Sequence, residues 1–101
     1  MKRVFLCADG EADVRTLFHH LLSSGAAPAA PQMYALMLEP GSEEAQVQMT
    51  RAGESLLWLC DEAWVVGEPT PDMVRQIRTA KLLNLPVRQI KESEIRRMEE
   101  N

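Results

Sequence analysis

The sequence predicts an α/β fold, a three-layer sandwich in which a parallel sheet of about four strands carries helices on both faces. Three observations point there. Two short runs, Val4-Phe5-Leu6-Cys7 and Ala63-Trp64-Val65-Val66, are apolar at successive positions. Both faces of each run need cover, as in the centre of a parallel sheet. Amphipathic segments with apolar residues at steps of three and four lie between and after them. The joints are short and rich in Gly, Pro, Asp and Ser, so strands alternate with helices.

Arg3 to Ala8 is the first strand, broken by Asp9-Gly10. Glu11 to Ser23 follows as a helix with Val14, Leu17, Phe18 and Leu21 on one side, and Gly25 caps its end. Pro28 and Pro31 exclude a regular central strand but allow a short edge strand around Ala29 to Met33. Tyr34 to Leu38 is compatible with an extended segment or a helical turn. Ser42 caps a helix from Glu43 to Cys60, with Glu43 and Glu44 in its first turn. Ala45, Met49, Ala52, Leu56, Leu59 and Cys60 form its stripe, and Val47, Leu57 and Trp58 lie off it. Gly53, in mid-helix, costs about 1 kcal/mol against alanine. It marks a close approach by a neighbouring helix or by a ligand.

Glu62 to Gly67 is the second central strand. Thr70 caps the next helix and Pro71 suits its first position, with Met73, Ile77, Ala80 and Leu83 or Leu85 facing inward. Asn84-Leu85-Pro86 stops that helix, Val87 to Ile90 is the last strand, and a charged helix starts near Ser93 and covers Glu94 to Glu100. Crossovers of this length are right-handed and make the sheet parallel, a flavodoxin- or Rossmann-like arrangement. Ligands of such sheets bind beyond the carboxyl ends of the strands, where strand order reverses. Here those ends are Cys7 to Gly10, Pro31 to Met33 and Gly67 to Asp72.

Composition narrows the function. With 101 residues, one domain is expected, and a chain this size buries roughly two-thirds of its unfolded surface. The net charge of −4 argues against nucleic acid or an anionic membrane as the main partner. The basic residues from Arg88 to Arg97 are interleaved with Glu92 and Glu94 and read as a solvated helix face. No Gly-x-Gly-x-x-Gly and no Gly-Lys-Ser/Thr loop occurs, so neither a dinucleotide nor a P-loop nucleotide is indicated, and no cofactor is expected. Cys7 and Cys60 lack metal-ligand spacing; they read as buried free thiols, no metal is expected, and a reducing cytoplasm is the expected compartment. The apolar run near the amino terminus is too short for a secretory signal.

The strand-end residues each have an ordinary reading beside a functional one. Asp72 is a favourable helix-start charge or an acid one turn before Gln76 on the same face. Glu68 is a solvated loop residue or a second spare carboxylate. Asp61 lies at the opposite end of the sheet and reads as structural. His19 and His20 read as surface residues. Trp58 and Val47 share a side of their helix away from the stripe. A homo-oligomer accounts for that; so does cover from the segment Tyr34 to Pro40.

The stretch from Leu56 to Ile90, "LLWLCDEAWVVGEPTPDMVRQIRTAKLLNLPVRQI", resembles the corresponding half of the nucleoside 2-deoxyribosyltransferase-like proteins, in particular small bacterial and phage members. Leu57, Cys60, Asp61, Glu62, Trp64, Val65, Gly67, Met73, Ile77, Ala80, Pro86 and Val87 fall in register with their pattern. The stretch from Arg3 to Tyr34 resembles their first strand, first helix and Pro-rich second strand.

The resemblance implies a covalent mechanism in which a glutamate early in the third helix attacks the anomeric carbon of a deoxyribonucleoside. In register that glutamate falls on Gln76, a family glycine on Asp72, and a family histidine on Gln32. An amide is a poor nucleophile, so any acid role passes to Asp72 or Glu68. The same register places Cys7, Asp9, Gly10, Gln32, Gly67 and Met73 around the substrate. Two functions follow as expectations. One is transfer or hydrolysis of an N-glycosidic bond with Asp72, Gln76 and Glu68 as the catalytic set. The other is a non-catalytic protein of the same fold that binds a nucleoside or nucleotide, or acts through an oligomeric surface.

Overall fold

The computed structural model describes residues 1–31 and 43–100. The elements run β1 (Arg3–Cys7), α1 (Glu11–Ser23), β2 (Ala27–Ala29), α2 (Glu43–Leu57), β3 (Glu62–Val66), α3 (Pro71–Leu82), β4 (Val87–Ile90) and α4 (Glu92–Glu100). Among the described residues every strand pairing is parallel, and the order across the sheet is β2-β1-β3-β4. The chain therefore steps one way from β1 to β2 and the other way from β2 to β3. Right-handed crossovers then send α1 to one face and α2 and α3 to the other. The strand order reverses between β1 and β3, where open α/β sheets bind ligands.

The period-two alternation of the strands sorts the core into two layers. Val4, Leu6, Trp64 and Val66 pack with Val14, Leu17 and Leu21 of α1 and Ile95 of α4. Phe5, Cys7, Ala63 and Val65 pack with Leu57 of α2 and with Met73 and Ala80 of α3. Phe5 and Leu6 are wholly buried on opposite faces, each contributing about 1.5–3 kcal/mol of hydrophobic stabilisation. The β1–β3 register is clamped at its start: the Arg3 amide donates to Asp61 Oδ2 at 2.7 Å, and the Asp61 amide donates to the Arg3 carbonyl at 2.8 Å. Accepting that amide holds the Asp61 carboxyl below its ordinary range. Asp61 is structural, as expected.

Both α1 and α3 stop in the same way. Gly25 (φ +84°) and Asn84 (φ +60°) take left-handed backbone just past the helix ends. The next amide reaches back five residues, Ala26 to Leu21 at 2.8 Å and Leu85 to Ala80 at 2.9 Å. These are Schellman caps, and each brings the residue beyond the turn into the core it abuts. At the far edge, Arg88 lies 5.0 Å over the Trp64 ring and pairs with Glu94 of α4 at 2.6 Å, which ties α4 to the sheet.

Three expectations need correction. The edge strand β2 is Ala27–Ala29, earlier than the segment from Ala29 to Met33. Pro28 is tolerated in it because its ladder has a partner on one side only. Helix α2 ends at Leu57, not Cys60. The period breaks there, so Leu57 is fully buried and Leu59, placed on the stripe from sequence, is 57% exposed. Helix α4 begins at Glu92 because the Glu94 carboxylate accepts the Lys91 amide at 3.2 Å, the reciprocal half of a capping box. Tyr34 to Leu38, the Ser42 cap and the cover over Trp58 lie outside the described residues.

The close approach at Gly53 is made by Pro31, at the turn after β2. A β-carbon on Gly53 would stand 2.7 Å from Pro31 Cβ. Gly53→Ala gains about 1 kcal/mol of helix propensity but forces a rigid ring aside, and overpacking costs about 1–3 kcal/mol. The expected net effect is a loss of about 1 kcal/mol in urea unfolding; a more stable variant would show that the ring yields freely.

Candidate functional site

Four local features build a cavity on the α2/α3 side of the switch point. The end of β1 contributes Ala8 and Asp9, and the turn after β2 contributes Pro31. Helix α2 contributes Met49 and Thr50, one turn before the glycine that lets Pro31 approach. The start of α3 contributes Thr70, Asp72, Met73 and Gln76. The cavity measures ≈ 140 Å³. Ala8, Pro31 and Met73 are its buried parts, and Asp9 and Asp72 are exposed at its rim.

Asp9 reaches this cavity by parity. It lies an even number of steps from Phe5 and Cys7, which face α2 and α3. Asp72 and Gln76 reach it because they are one helical turn apart. Thr70 fixes where that turn begins: its Oγ1 accepts the Met73 amide at 3.3 Å, and Pro71 occupies the first helical position.

Gln76 carries the main chemical feature. Its Oε1 is buried and has no hydrogen-bond partner, the one such side-chain atom among the described residues. An orphaned buried acceptor costs about 1–3 kcal/mol. Asp72 is differently placed. Its side chain is 72% exposed, and its Oδ1 accepts from Arg75 Nη2 at 2.8 Å. Arg75 Nε also donates to Glu54 of α2 at 2.7 Å, so one guanidinium joins two helices and holds the carboxylate outward.

The other sequence-derived positions divide. Met73 joins the cavity. Glu68 and Gly67 do not; they line a second, wider cavity of ≈ 530 Å³ on the α1/α4 side, with Asp13, Lys91 and Glu92 at its edge and Ile90 and Ile95 beneath. Glu68 is an even step from Trp64 and Val66, which face α1 and α4. The expected catalytic set of Asp72, Gln76 and Glu68 is thus split across the sheet. Gly10 is the cap residue of α1 and is absent from either wall. Gln32 lies outside the described residues. Cys7 sits in the core beneath the cavity, fully buried, and does not line it. Burial, with Cys60 adding to it, pushes its thiol up to about 12, so it is neutral and inert near neutral pH. Pro31 belongs to a strand end expected to face a ligand; Met49 and Thr50 were not foreseen. The pointer to them in the sequence was Gly53 and its mid-helix cost.

No group of His, Cys, Asp and Glu among the described residues could hold a metal ion, and none of the described helices is long and apolar enough to cross a membrane. A family model described as a domain of unknown function, DUF7768, matches residues 6–90. The chain belongs to the DUF7768 family. No curated protein matches it. Among solved structures, a 2-deoxyribosyltransferase from the psychrotolerant bacterium Bacillus psychrosaccharolyticus aligns with the DUF7768 chain at a TM-score of 0.73 and 15% identity. The alignment covers 88% of this chain and 72% of that one. That protein is described as a biocatalyst for nucleoside synthesis. At this identity the likeness establishes the fold, and function has to be argued from the site.

Two measurements follow. Gln76→Met removes the orphaned acceptor at similar volume, and urea unfolding is expected to show a gain of about 1 kcal/mol; a loss would mean the amide is satisfied. Cys7 has its folded value raised above the unfolded one, so its contribution is complete below the ordinary thiol value and is lost as pH climbs from there towards about 12. Cys7→Ala is expected to flatten that alkaline decline; identical pH profiles for the two proteins would count against it.

Proposed function

We propose that the chain is a nucleoside-binding protein on a deoxyribosyltransferase-type fold, with glycosyl transfer absent or vestigial. The observation that carries this reading is Gln76: a polar side chain on the wall of a switch-point cavity, with its acceptor buried and unpartnered. The ligand class is supported by the fold, since a solved structure of similar shape is a 2-deoxyribosyltransferase.

Transfer needs a carboxylate in line with the anomeric carbon, and losing such a nucleophile costs several powers of ten in rate. The acid nearest Gln76 on α3 is Asp72, solvated and paired with Arg75, while Glu68 opens on the far side of the sheet. Both observations favour binding over catalysis. An enzyme that uses Asp72 remains the alternative, and it requires Arg75 to release the carboxylate. Self-association belongs to the same proposal. Trp58 and Leu82, near the ends of α2 and α3, are 71% and 78% exposed, an apolar cost that a second copy would relieve.

A deoxynucleoside at 100 times its dissociation constant is expected to stabilise the protein by about 2.7 kcal/mol in a thermal-shift experiment, with no base exchange when a second base is added. Gln76→Glu restores a carboxylate at the wall, and slow release of free base is the expected gain. A panel of deoxynucleosides without any shift in melting temperature would remove the reading.

A further inference from the structure

We draw no further inference here: the strongest candidate, the cavity of ≈ 530 Å³ between α1 and α4 beyond the ends of β3 and β4, carries nothing, because its rim of Asp13, Glu68 and Glu92 is an acidic cluster and, among the described residues, no buried unpartnered polar side chain points into it.

Discussion

The structure depends on the parallel pairing of β1 with β3. Cys7 stands opposite Val65 in that ladder, so the chain leaves both strands at one level. Ala8 and Asp9 therefore meet the loop that starts α3. The pairing is enforced from both sides, because each strand is apolar on two faces and each face is covered by helices. A slip of one residue would exchange the faces and turn Asp9 away from the α2/α3 side. The Arg3–Asp61 clamp sets the register at the other end. The cavity that Asp9, Asp72 and Gln76 line lies just beyond this seam.

What the sequence made legible is the part governed by periodicity and caps. The two-sided apolar runs identified β1 and β3, and Thr70-Pro71 located the start of α3 to the residue. Gln76, Asp72 and Asp9 were brought together at one cavity because a helical turn and a strand parity are short-range rules. Glu68 opens on the opposite face, as the same parity rule counted on from Val66 requires. Leu57 and Leu59 were exchanged because a periodic stripe says nothing about where the helix ends. The edge strand was misplaced for a related reason: Pro28 and Pro31 both permit an edge position, and the ladder with β1 decides between them. Thr50 reached the cavity because Pro31 packs on Gly53, a contact between residues more than twenty positions apart, and local pattern does not encode such contacts.

Similarity to a deoxyribosyltransferase at 15% identity is informative because of what low identity leaves intact. A sheet of this order can be specified by many apolar sequences, provided that pattern and volume are kept. Site chemistry is not so permissive. Replacing a carboxylate by an amide at one helical position alters the charge, the nucleophilicity and the donor–acceptor balance of a cavity without moving a backbone atom. Topology and reaction can therefore part company on one fold.

The physical argument for a ligand at position 76 turns on a comparison of three side chains. A glutamate in this half-buried wall would bear a desolvation penalty when charged; in return it would offer a nucleophile. A leucine or methionine would carry no penalty and would pack with Met73, its buried neighbour on the same helix. Glutamine bears part of the penalty, through an acceptor that protein groups leave unsatisfied, and offers no nucleophile in return. Such a residue is the poorest of the three for stability and the poorest for covalent catalysis. Its amide can both donate and accept hydrogen bonds, and it brings no third negative charge to a cavity that Asp9 and Asp72 already line.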